Sequence, residues 1–290
     1  MENMQKRILQ ILVTLTLWSG TTARELSVVK PEEVGMSSAK LAKVDEVLKG
    51  FVADGKLAGG IVAIARKGKV VHFGTYGKMD LERDKAMKPD SIFRIYSMSK
   101  AITTVAALIL FDEGKYELAD PVSKYIPEFE ELSVWKEGQA EPTKRQMTVR
   151  DLMRHTSGLS YGFVGNSAVE KRYKKDKPID RAGDLPTMIK KLSDIPLAFE
   201  PGTKWQYSVS IDVLGRLVEI WSGQSFEDFL AERICKPLDM KDTAFDVPKG
   251  KVDRFTANYA PNGSGKLRLI DDPAKSRYLT PAGLASGGGG

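Results

Sequence analysis

A chain of 290 residues with 42% apolar and 28% charged content can bury a substantial core, which excludes a disordered or fibrous protein and suggests about two domains. The formal net charge of +6 is modest, and its densest basic run, Lys171-Arg-Tyr-Lys-Lys-Asp-Lys177, reads as a solvated loop, so no nucleic-acid partner is expected. Cys235 is the sole cysteine and His72 and His155 the only histidines, so neither an intramolecular disulfide nor a metal or other cofactor is expected.

Lys6 and Arg7 precede the apolar run Ile8 to Trp18 and the small residues Thr21-Thr22-Ala23, the pattern of an export signal over residues 1–23. The run is too short to span a bilayer, and Gln10 and the threonines argue against a signal anchor. A secreted or periplasmic chain, without stable membrane insertion after signal removal, is the expectation. An amphipathic helix follows over Ser38 to Phe51, capped by Ser37 or Ser38. Gly60 to Arg66 and Lys69 to Tyr76 read as strands joined by the turn Lys67-Gly68. A helix then runs from Ser97 to a C-cap at Gly114, and its near-continuous apolar sequence predicts burial all round. From there to about Phe245 the pattern is mostly helical. Short helices are expected after Thr148, over Leu185 to Leu192, over about Ile211 to Ile220, and over Phe226 to Ile234 behind a Ser225 cap. Residues 254–290 read as irregular strands and loops ending in Gly287-Gly-Gly-Gly290.

Lys100 is the only charged residue between Arg94 and Asp112, and it lies three positions after Ser97, so one helical turn brings ammonium and hydroxyl together. A desolvated lysine favours its neutral form and can take a proton from such a hydroxyl. The chain has four Ser-x-x-Lys matches, at Ser27/Lys30, Ser37/Lys40, Ser97/Lys100 and Ser133/Lys136, and context separates them. Lys40 falls on a wet helix face, Ser27/Lys30 lies in an extended leader, and Ser133/Lys136 lies in the charged segment Glu128 to Glu141. Only the pair at 97 and 100 opens an apolar helix, although a capping serine beside a snorkelling lysine would have the same spacing.

Gly158-Leu-Ser-Tyr-Gly162 competes, because it matches the Gly-x-Ser-x-Gly nucleophile elbow. That elbow needs a strand before Ser160 and a histidine after it, whereas a helix precedes it and both histidines lie upstream. Tyr207 offers a second acid–base group: a phenol held near an ammonium has its phenolate favoured.

Ser97-Met-Ser-Lys100 followed by Tyr207-Ser-Val209 resembles the serine beta-lactamase-related superfamily, the group of class C beta-lactamases, family VIII esterases and D-alanyl-D-alanine carboxypeptidases. Met147 to Leu159, Pro201 to Tyr207, and Ser222 to Leu230 leading to Lys236-Pro-Leu-Asp-Met240 carry the same resemblance, which covers about Glu32 to Gly290. The resemblance implies α/β and all-α parts in a beta-lactamase/transpeptidase-like fold: an antiparallel sheet flanked by helices, with a helical subdomain. Its domain would span 32–290, with 24–111 plus 246–290 forming the α/β part and 112–245 the mainly helical part. It further implies an acyl-enzyme mechanism, with Ser97 as nucleophile, Lys100 and Tyr207 sharing the base and acid roles, the Ser97 N–H as one oxyanion donor, and His155 structural.

Two departures qualify the match. Lactamases of this class carry Asn two residues after the tyrosine to contact substrate, and Val209 cannot make that hydrogen bond. Val209 at this substrate-binding position favours a small-molecule ester over an amide, with a beta-lactam or D-amino-acid peptide hydrolase, or a non-catalytic fragment, as alternatives. The family's third motif, Lys-Thr-Gly or an equivalent on a strand beside the nucleophile, is absent from its expected place; Trp221-Ser-Gly223 has a similar look but sits at a helix end. The expectation is therefore a truncated domain that lacks its C-terminal sheet strands and, expressed alone, folds poorly and turns over weakly or not at all.

Overall fold

The computed structural model describes residues 26–290, so the export signal expected over 1–23 lies outside the described residues. Helix α1 (Ser38–Ala53) starts where the Ser37 side chain accepts the Lys40 N–H at 3.3 Å, leaving Lys40 and Lys43 in its wet face. It packs on an antiparallel hairpin of β1 (Gly59–Arg66) and β2 (Lys69–Asp80). Register runs from Gly59 opposite Gly77 to Arg66 opposite Lys69, with a bulge at Ile64/Ala65. Lys67 and Gly68 both have positive φ, 51° and 69°, as the tight type I′ turn of a two-residue hairpin requires. A short β3 (Lys85–Ala86) pairs with the far edge of β2, giving the sheet order β1-β2-β3.

Helix α2 (Ser99–Asp112) begins two residues later than its apolar pattern suggests, after a single 3-10 turn at Tyr96–Met98. It is also not buried all round. Thr103, Ala106, Ala107 and Leu110 form one buried stripe at helical spacing, while Val105 and Leu108 on the opposite side are exposed. The stripe faces the helical half of the molecule. There follow the hairpin β4 (Ser133–Lys136) and β5 (Gln139–Pro142), then α3 (Val149–Met153), α4 (Ala168–Asp176), α5 (Leu185–Ser193), α6 (Ser210–Ser222) and α7 (Phe226–Leu230), the last running on through a wide turn to Cys235.

The buried stripe of α2 meets Ile211, Leu214 and Val218 of α6, and Met188, Leu192, Phe226 and Phe229 close the same core. Tyr116 stacks on Trp221 at 3.9 Å between centroids, with Tyr125 edge-on at 5.4 Å. Two stretches read from their charge, one as a charged segment and one as a solvated loop, are ordered elements. Val134 is buried and bridges to Leu197, which draws Ser133–Lys136 into a strand. The basic run after Lys171 is helical as far as Asp176 because Ser167 caps it and Val169, Glu170 and Tyr173 share one buried face, with the lysines outside.

The hairpin β6 (Asn258–Pro261) and β7 (Leu267–Asp271) completes the antiparallel part. Ile92, Val247, Phe255 and Tyr278 form a second small core there. The Arg94 guanidinium lies 3.9 Å from the Phe255 ring centre and its Nε donates to Asp271 at 2.6 Å, tying the segment before the nucleophile turn to β7. Among the described residues no helix is long and apolar enough to cross a membrane.

Candidate active site

Ser97 occupies the 3-10 turn that leads into α2, one residue after Tyr96, whose φ of 42° is rare for an aromatic side chain. The surroundings hold that conformation: the Tyr96 hydroxyl accepts from Asn258 Nδ2 at 2.8 Å. Ser97 is exposed, whereas Ser99 two residues on is buried.

Lys100 Nζ donates to Ser97 Oγ at 3.2 Å, to Tyr161 Oη at 3.1 Å and to the carbonyl of Gly288, so all three of its donors are taken. The ammonium also lies 4.5 Å from the centre of the Tyr207 ring. The Tyr207 hydroxyl donates to Ser97 Oγ. Burial opposes ionisation of that phenol, but the adjacent Lys100 ammonium and the hydrogen bond with Ser97 outweigh it, and Tyr207 ionises below the ordinary tyrosine value. Hydroxyl, ammonium and activated phenol thus meet at one oxygen.

Backbone pairing sets this geometry. The Gly202 N–H donates to Thr156 O at 2.7 Å, Gln206 N–H to His155 O at 2.9 Å, and Val209 N–H to Ser160 O at 3.2 Å. The segment 155–161 is thereby fastened along 202–209, and the Tyr161 and Tyr207 ring centres come to 5.3 Å. Gly158 permits the approach: its φ is 88°, and a Cβ there would lie 2.4 Å from the Phe199 carbonyl oxygen.

Val209 does not join the group. Its side chain is fully buried in the helical core at the start of α6, because the chain turns inward two residues after Tyr207. A side chain in that position packs against apolar neighbours and offers no contact to a small molecule at Ser97. Ser160 is likewise fully buried, bonded to Glu170 and to Gln206 Nε2 at 2.8 Å, with no imidazole partner. His155 sits beneath Tyr207 at 5.1 Å between ring centres, and its Nδ1 accepts the Ser208 N–H at 3.3 Å. Burial, reinforced by the Lys100 charge, lowers its pKa to about 4, which leaves it neutral and aligned as a support for the tyrosine.

Two features escape sequence reasoning. Tyr161 touches Lys100, and burial, with the charge of Asp212 adding, pushes its phenol far above the ordinary range, so it holds its proton. Residues 286–290 lie along α2: Thr103 Oγ1 donates to Gly287 O at 2.8 Å, and Ser99 Oγ to Gly290 O at 2.6 Å. The only sequence signal for Tyr161 is its place in the glycine-flanked motif already set aside; for the glycine tail there is none.

An exposed serine before a helix, a lysine one turn on and a tyrosine from the helical half, on an antiparallel sheet flanked by helices, define the beta-lactamase/transpeptidase-like class. The Beta-lactamase family model matches residues 44–290, and the chain belongs to that family. It is 31% identical to esterase EstB of Burkholderia gladioli over 277 residues, covering 90% of this chain and 69% of that one. It is also 31% identical to protein Rv1367c of Mycobacterium tuberculosis over 241 residues, covering 81% of this chain and spanning 59% of that protein's length. Among solved structures, EstCE1, described as a hydrolase with promiscuous acyltransferase activity, superposes with a TM-score of 0.73 at 28% identity, over 87% of this chain and 68% of the other.

Proposed function

We propose that this chain carries the nucleophilic centre of a serine hydrolase acting on carboxylic esters through an acyl-enzyme. The convergence of Lys100 Nζ and Tyr207 Oη on Ser97 Oγ is the observation that carries the reading. In the first half-reaction Ser97 Oγ forms a bond to the ester carbonyl carbon while its proton passes into the Lys100–Tyr207 pair. The same pair returns that proton to the departing alkoxide as the C–O bond breaks. A water then attacks the acyl-serine, giving its proton to the pair, which passes it to Ser97 Oγ as the acyl C–O bond to the serine breaks; the acid leaves and both the serine and the pair are restored. The Ser97 N–H would stabilise the oxyanion. Tyr207 suits the acid–base role because its phenol is activated, whereas Tyr161 and His155 keep fixed protonation states near neutrality. Similarity to an esterase and to a hydrolase with acyltransferase activity supports an acyl group as cargo. Export directed by residues 1–23 belongs to the same reading, and the intact mass of chain recovered from an exporting host tests it.

Incubation with a fluorophosphonate followed by intact-mass measurement tests the nucleophile. One adduct, absent in Ser97→Ala, is expected. A folded wild-type chain without an adduct sinks the reading. Parallel assays with a p-nitrophenyl butyrate and a chromogenic cephalosporin decide between ester and lactam; turnover of the cephalosporin alone would replace the ester.

A further inference from the structure

Asp212 is fully buried near Tyr161 and the glycine tail, yet no lysine or arginine forms an ion pair with it among the described residues. Its Oδ1 accepts from the Ser286 hydroxyl and from the Gly288 N–H at 3.0 Å, while its Oδ2 faces the Tyr161 hydroxyl without a hydrogen bond of good geometry. A buried carboxylate oxygen left unsatisfied costs on the order of 1–3 kcal/mol, which calls for an explanation. Helix capping does not supply one. Asp212 is the third residue of α6, from where a carboxylate could reach back to the N-cap, but no side-chain bond caps Val209 and Asp212 reaches across to 286–288 instead.

Gly288 lies between Asp212 and Lys100. Its N–H is held by Asp212 Oδ1, and its carbonyl accepts from Lys100 Nζ. A Cβ at this position would lie 2.3 Å from Asp212 Oδ2 and 2.7 Å from Tyr161 Oη, so any larger residue would push those two side chains aside. We propose that Asp212 is the positioning residue for Lys100: it anchors Ser286–Gly288 against α2 so that the Gly288 carbonyl aims the ammonium at Ser97 Oγ, and its charge biases the acid–base pair. The inference rests on the proposed nucleophile. The titratable groups facing Asp212 are Lys100, from α2, and Tyr161 and Tyr207, from the paired segments, with His155 beyond Tyr207. Burial raises the Asp212 carboxyl above the usual carboxylate range, opposed by its bonds to Ser286 and Gly288 and by the Lys100 charge. In its ionised form it disfavours the Tyr207 phenolate, so removal of that charge makes the phenol ionise at lower pH.

The test is the pH profile of Ser97 labelling by a fluorophosphonate in the full chain, with thermal melting as the control for folding. Asp212→Asn keeps an oxygen for the Gly288 N–H but loses the charge; its acid limb moves to lower pH by about half to one unit, with a plateau rate within about threefold of wild type. Asp212→Ala loses both functions, and its plateau falls about tenfold or more. An unmoved limb in Asp212→Asn, or wild-type labelling by a folded Asp212→Ala, overturns the assignment. Should Asp212→Ala fail to fold, Asp212→Asn decides alone. Failure of the wild-type chain to label overturns the nucleophile itself, which distinguishes the two failures.

Discussion

Replacing Tyr207 by phenylalanine removes one oxygen atom from the candidate site and little else. The ring stays 4.5 Å from Lys100, 5.1 Å from His155 and 5.3 Å from Tyr161, so packing survives and stability should change by less than about 1 kcal/mol. What disappears is the hydroxyl bonded to Ser97 Oγ. A positioned acid–base group is worth about 10² to 10⁴ in rate, and Lys100 remains 3.2 Å from the serine as a partial substitute. The expected loss in kcat/KM is therefore about 10²- to 10³-fold, ~3–4 kcal/mol of transition-state stabilisation, carried by kcat with KM little changed.

The pH dependence gives a second handle on the same variant. A phenolate base becomes available as pH rises through its pKa, and Tyr207 ionises below the ordinary tyrosine value, so the wild-type acid limb lies below that of a free phenol. Tyr207→Phe should abolish that limb. Hydrolysis of a p-nitrophenyl ester, followed from pH 5 to 10 beside Ser97→Ala as the blank, reads both effects. If Tyr207→Phe stays within threefold of wild type while Ser97→Ala is dead, the phenol is a packing residue and the three-residue mechanism is wrong.

Ser160→Ala should keep Ser97 labelling within about threefold of wild type, because its hydroxyl is buried against Glu170; the cost appears in stability, about 1–3 kcal/mol by urea denaturation, for the one Glu170 oxygen that loses its donor. Loss of the fluorophosphonate adduct in folded Ser160→Ala would restore the elbow motif as the nucleophile. Gly158→Ala meets both a positive φ and the Phe199 carbonyl, so we expect at least about 2 kcal/mol of destabilisation together with slowed labelling, since Tyr161 rides on that segment. His155 titrates at about 4 in the folded chain against an ordinary value near 6.5, so between those pH values the unfolded chain binds the extra proton. Stability contributed by this site is complete above pH 6.5 and is lost as pH falls toward 4, by about 1–2 kcal/mol after allowance for a half-exposed ring. His155→Asn, which tolerates the positive φ of 55°, should flatten that dependence in denaturation curves taken at pH 5 and 7.5; parallel curves for the two proteins would remove His155 as the cause.

Ser97 and Lys100 were legible because both belong to one turn, and i to i+3 spacing is a local property that survives whatever the rest of the chain does. Tyr207 needed more, since it lies 110 positions from Ser97 and only the order of several motifs connects them. The elements read well wherever one residue type decides, as at the Ser37, Thr148 and Ser225 caps or the Lys67-Gly68 turn. They read poorly where burial decides. Tyr173 looks like a member of a wet basic run, with Glu170 just ahead of it, until Ser160 is seen to use both, and the apolar sequence of α2 does not reveal that Val105 and Leu108 face outward. Tyr161 and Asp212 stayed hidden for the same reason at the site itself. One is a tyrosine in a misleading motif and the other an acid in the first turn of a helix, where acids are ordinary. Their roles depend on a glycine backbone that threads between them, with Asp212 Oδ1 on the Gly288 N–H and Lys100 on its carbonyl. Such a relay passes through main-chain atoms identical in every residue, so no spacing of side-chain types can encode it; the one trace it leaves is the close fit of Gly288 between Asp212 and Tyr161, which a Cβ would disturb.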